Sequence, residues 1–163
     1  MMRTVLLLSS ILVITACGKE VTITQEQVVG TWITSTDSFI DDGIGYREVL
    51  LDHFREDGTF TTHTSSEMYW SKTGVPFANI EGPDKGRWSI EDNKVVKHYD
   101  ESNVTHFTSS EDSVTRAQFE AAFQKKLQSP EVLTVVQVDP EVLVVEDATI
   151  GETFNMIRHS PDK

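Results

Sequence analysis

Apolar and polar residues alternate with a period of two through most of the chain after residue 27, the pattern of strands with one dry and one wet face. The first such stretch enters at Gln27-Val-Val-Gly30-Thr31-Trp32 and runs to about residue 35. Further strands are predicted at 46–54, 59–69, 85–90, 94–99, 103–109, 132–138, 142–145 and 153–158. Turn residues separate them: Asp41-Asp42-Gly43, Glu56-Asp57-Gly58, Glu91-Asp92-Asn93, Asp139-Pro140 and Gly151. Glycine there takes φ > 0 without a Cβ clash, and Asp and Asn hydrogen-bond their own backbone. Residues 71–84 carry Gly74, Pro76, Gly82 and Pro83 and read as a long irregular connection.

The period changes once. Thr115 and Gln118 match a capping box, and Phe119, Ala122, Phe123 and Leu127 recur at i, i+3, i+4 and i+8. This predicts a helix over 115–127, stopped before Pro130. The 132–145 hairpin is apolar on both faces, so its outside needs cover. Phe119 and Phe123 are expected to supply it. Eight or nine short strands imply an all-β fold: a single antiparallel up-and-down barrel or closed sandwich of about eight strands, with one α-helix (about 115–127) packed on its outside.

The N-terminus follows another logic. Arg3 precedes an apolar run over 5–13, too short for the roughly 20 residues of a transmembrane helix. The run ends at Ile14-Thr15-Ala16-Cys17, where Cys17 is the single cysteine of the chain. This resembles the lipobox of bacterial lipoprotein precursors. The resemblance implies removal of residues 1–16 as a signal peptide and acylation of Cys17 with diacylglycerol and a fatty acid such as palmitate. Each buried CH₂ contributes about 0.8 kcal/mol, so two or more chains anchor firmly where one does not. Gly18 replaces the Asp that would favour inner-membrane retention, which implies the periplasmic face of the outer membrane. Residues 17–26 are then a lipidated tether and 27–160 one domain.

Charge narrows the partners. The formal net charge is −12, and loss of residues 1–16 removes only Arg3, leaving −13 on 147 residues. So acidic a chain lacks the basic face that nucleic acid requires. With one cysteine used for acylation, no intrachain disulfide remains, and the core itself must hold the fold.

Gly30-Thr31-Trp32, followed by strands joined through tight turns, resembles the lipocalin-like (calycin) barrels. The segments Phe54…Asp57-Gly58-Thr59-Phe60 and Gly86-Arg87-Trp88…Asn93 resemble hairpins of small bacterial lipocalin-like lipoproteins. The resemblance implies that Trp32 plugs a closed barrel end and that a late arginine, Arg158, lies across it. Gly30, Trp32 and Arg158 are then a structural signature.

No catalytic constellation emerges. Gly-x-Ser-x-Gly and His-Glu-x-x-His are absent, and Gly43-Ile44-Gly45 does not lead into a phosphate-binding helix. No cofactor is expected. If 97–107 were a hairpin, His98 would face His106 with Asp100 nearby, a weak candidate for zinc. Tyr69, Trp70, Phe77 and Ile80 gather about the 71–84 connection, as an apolar plug or as a binding lip. The leading expectation is a lipid-anchored binding module for a small apolar ligand or an envelope protein, not an enzyme. The alternatives are an acidic inhibitor of a cationic hydrolase, or an envelope assembly lipoprotein without a ligand.

Overall fold

The computed structural model describes residues 21–41, 43–149 and 151–160. The expected signal segment and Cys17 lie outside them. Nine strands and two helices follow in the order α1 (Gln25–Val28), β1 (Gly30–Asp41), β2 (Ile44–Phe54), β3 (Thr59–Trp70), β4 (Pro76–Glu91), β5 (Lys94–Ser102), β6 (His106–Ser109), α2 (Arg116–Lys126), β7 (Glu131–Val138), β8 (Val142–Asp147) and β9 (Glu152–Arg158).

Eight strands close into an up-and-down antiparallel barrel, with β6 as an extra strand. Around the barrel the order is β1-β2-β3-β4-β5-β7-β8-β9, and β9 returns to β1 through Trp32↔Arg158, Ile33↔Ile157 and Thr34↔Met156. Closure removes free sheet edges, which an open sheet would have to protect.

The turns fall where their residues demand. Gly58 (φ +78) and Gly151 (φ +69) end the β2–β3 and β8–β9 connections, and Asp92 (φ 58) serves the β4–β5 turn. Thr115 caps α2: its N–H donates to Gln118 Oε1 at 2.7 Å. One end of the barrel is shut by a core of Trp32, Phe54, Phe60, Trp88, Leu143 and Met156, with Val28 of α1 beneath.

Four expectations are corrected. Residues 71–84 are not an irregular loop: β4 starts at Pro76 and runs 16 residues, paired with β3 along most of its length. Gly82 and Pro83 sit where the second neighbour of β4 changes. Residues 84–91 pair with β5 and 78–81 with β6. Proline's missing N–H is tolerated at this break in the ladder. At Gly82 a Cβ would overlap the carbonyl of Asn103, so the crossing chain requires glycine.

Second, β5 and β6 are not a hairpin; both run along the same side of β4. His98 pairs with Arg87 and His106 with Glu81, six residues apart along β4 and so about 20 Å. The two histidines do not meet.

Third, α2 packs outside the closed circuit but not on the β7–β8 hairpin. Phe123 joins Met68, Phe77, Ala78, Ile80 and Val104, and the Phe119 ring lies 5.7 Å from that of Phe107. The crossover to β6 carries the helix over the β3–β4–β6 side. The outer valines of the hairpin stay partly open, Val136 at 42%.

Fourth, the tether does not extend to residue 26. Ile23 is buried in the main core, and Gln25 Nε2 donates to the carbonyl of Glu56 at 2.6 Å.

Candidate functional site

The inward positions of the strands change character along the barrel. At the shut end they are aromatic and aliphatic. The Trp32 indole N–H donates to the Val28 carbonyl at 2.6 Å, and the Arg158 guanidinium carbon lies 4.2 Å from the ring centroid. Arg158 also donates to the carbonyls of Pro140 at 2.7 Å and of Val29 and Gln27 at 2.8 Å. It clamps the chain before β1 to the end of β9. A Cβ at Gly30 (φ +134) would strike that guanidinium.

Above this floor the interior turns polar. Lys97, 1% exposed, sits inside the barrel with its Nζ 2.9 Å from Asp52 and 3.1 Å from Glu131. The register dictates the cluster: Lys97 is the cross-strand partner of Glu131 between β5 and β7, and Asp52 is that of Thr62 between β2 and β3. Thr62 donates to Asp52 and Tyr99 to Glu131. The ammonium also faces aromatic rings, 5.0 Å from the Phe60 centroid and 5.4 Å from that of Tyr99.

The electrostatics follow from burial and pairing. Burial pulls the Lys97 ammonium down, but Asp52 and Glu131 outweigh it and raise its pKa well above the usual lysine value. Burial likewise opposes the charge of Glu131, yet Lys97 and the Tyr99 hydroxyl hold its carboxyl below the usual range. Burial and the neighbouring Glu131 keep Tyr99 a protonated donor. Lys97 and Glu131 are therefore both charged at neutral pH.

Two connected chambers open beyond this cluster. The first, of about 200 Å³, takes apolar lining from Leu50, Leu133, Val145, Phe154 and Met156. Its polar lining comes from Thr34, Tyr46, Glu48, Glu131, Asp147 and Glu152. The second, of about 270 Å³, shares Glu48, Leu50, Glu131 and Asp147 and extends toward Asp84, Tyr99 and Lys126. Asp84, fully buried, accepts from Ser102 at 2.6 Å and from Lys126 of α2 at 2.8 Å. Glu48 Oε1 accepts from the Tyr46 hydroxyl at 2.7 Å and from Ser66 at 3.1 Å. Burial, then the charge of Glu48, pushes Tyr46 well above the ordinary tyrosine value, so it stays a donor.

One inward group is left over. Thr64 Oγ1 is buried without a hydrogen-bond partner. It lies on β3 between Thr62 and Ser66, opposite Leu50, which lines both chambers.

The residues singled out in the sequence fall elsewhere. Tyr69 is buried and donates to Asp37, with the Arg47 guanidinium 4.9 Å from its ring centroid. Phe77 and Ile80 are buried beneath α2, and only Trp70 is exposed, at 39%, stacked 4.7 Å from Phe77. They form packing, not a lip. All five histidines are exposed, and no group of three or more metal-ligating side chains converges among the described residues.

Sequence reasoning missed Asp52, Lys97, Glu131 and Glu48. The signal was present as charge in the apolar phase of a strand: Leu50-Asp52-Phe54 and Val95-Lys97-Tyr99. No protein-family model matches the chain, and no curated protein is significantly similar to it in sequence.

Proposed function

We propose that this protein is a lipid-anchored lipoprotein of the bacterial outer membrane, facing the periplasm, whose lipocalin-like barrel binds a small ligand in its interior. The observation that carries the reading is the pair of chambers opening above a closed aromatic floor. A barrel used only as a spacer has no need of a hollow, polar interior. The shape is that of a binding site: concave, with apolar and polar groups in one lining. The mixed lining shifts the ligand from purely apolar, as expected from the sequence, to amphiphilic. Signature residues Gly30, Trp32 and Arg158 hold the floor and take no part in binding.

Two experiments test it. Native mass spectrometry of the full chain, purified from its own membranes in mild detergent, should show an added small-molecule mass. A chain with no such mass, and no thermal shift across a small-molecule panel, overturns the binding reading. Metabolic labelling with palmitate should mark the wild type and not Cys17→Ser; an unlabelled wild type overturns the anchor.

A second reading has one observation in its favour. The turns at the shut end, 55–58, 91–93 and 139–141, carry Glu56, Asp57, Glu91, Asp92, Asp139 and Glu141. Such an acidic rim suits docking to a cationic protein, as in an inhibitor of a basic hydrolase. That association would weaken steeply with added salt.

A further inference from the structure

From the charge inside the barrel we infer that the ligand is a small organic cation: a primary amine carrying an apolar body of a few carbons. This deepens the proposed binding role and rests on it. Together the chambers are lined by six carboxylates, Glu48, Asp52, Asp84, Glu131, Asp147 and Glu152, against two ammonium groups, Lys97 and Lys126. Both ammonium groups are committed, Lys97 to Asp52 and Glu131 and Lys126 to Asp84. Glu48, Asp147 and Glu152 take part in no ion pair among the described residues.

A cleft with low-dielectric walls and charge of one sign concentrates ions of the other sign. An anion here would meet carboxylates that no cation neutralises, whereas a cation would be attracted to them. The carboxylates are spread around the wall instead of converging on one point, so the geometry suits an ammonium group better than a metal ion. Two features fit an alkylamine further. Leu50, Phe154 and Met156 can receive a hydrocarbon body, and the aromatic rings of Tyr46 and Phe154 belong to the same lining.

The test compares three probes with the same six-carbon body: hexylammonium, hexanol and hexanoate. Each is titrated calorimetrically into the full chain in mild detergent, with a detergent-only titration subtracted. Hexylammonium should bind at least about tenfold tighter than hexanol, the ratio expected of one charge-assisted contact, and hexanoate should be weaker still. Glu48→Gln and Asp147→Asn, which keep side-chain shape, should each lower hexylammonium affinity about tenfold and leave hexanol unchanged. Hexanol or hexanoate binding as tightly as hexylammonium overturns the cation inference and leaves the binding role standing. Unaltered hexylammonium affinity in both carboxamide variants overturns it too. Failure of all three probes overturns the inference and counts against the binding role as well.

Discussion

Replacing Lys97 by Met keeps the length and apolar stem of the side chain and deletes one charge. Asp52 and Glu131 are then left inside the barrel without a cation, at positions where the side chains of Lys97 and Asp52 are only 2% and 3% exposed. Breaking a buried pair by removing one partner costs about 3–5 kcal/mol, because the remaining charge is desolvated and uncompensated. For a domain of this size each kcal/mol lowers the melting midpoint by about 4 °C, so the drop should be about 12–20 °C. Urea unfolding followed by tryptophan fluorescence measures the loss directly, since Trp32 and Trp88 lie in the floor beneath the cluster.

The pH dependence separates lost charge from lost packing. In the wild type the Glu131 pKa is depressed on folding, so its contribution is present above the ordinary carboxylate range and fades as pH falls through the depressed value. The Lys97 pKa is raised on folding, so its contribution holds below the ordinary lysine value and is lost as pH climbs above it. In Lys97→Met the buried carboxyls lack a cation, their folded pKa values rise, and protonation relieves the strain. The deficit should therefore shrink as pH falls from 7 toward about 4.5. Adding Asp52→Asn and Glu131→Gln to the same chain should restore most of the stability at neutral pH, since the cluster as a whole breaks about even. A neutral-pH deficit under about 1 kcal/mol, or one unchanged on acidification, refutes the reasoning.

Thr64→Val removes a buried hydroxyl that has no partner and should raise the urea midpoint, by about 1 kcal/mol of stability. Gly82→Ala should cost about 1–3 kcal/mol or more, since its Cβ would displace the Asn103 backbone; hydrogen exchange should quicken first in β6 and α2, which follow that crossover. Arg158→Lys cannot keep the planar stack on Trp32 together with three carbonyl bonds, and should lose about 2–3 kcal/mol, with a shifted Trp32 emission.

Much of the architecture was legible in local pattern. Alternation gave the strands, and Gly58, Gly151 and Asp139-Pro140 gave three of the turns. Thr115 and Gln118 marked the start of α2 to within a residue. The misreadings have a common cause. Gly82 and Pro83 are breakers when judged against neighbours in sequence, but they lie where a long strand exchanges one partner for another. His98 and His106 look paired if the chain turns back between them, and it does not. The helix had an apolar stripe whose destination no local rule could name. The cavity was the least visible part, because its lining comes from all eight barrel strands and from α2.

By itself the sequence determined an all-β chain with one capped helix, because periods of two and of 3.6 are properties of neighbouring residues. It also carried the lipobox resemblance at Cys17 on which the proposed acylation rests. Only tertiary structure decided that the barrel closes through β9 on β1, that α2 lies over the β4 side, and that charges spaced tens of residues apart share one interior. Asp52, Lys97 and Glu131 are ordinary strand residues until closure brings them within hydrogen-bond reach. The energy of a charge depends on what surrounds it in space, and no window along the chain contains that.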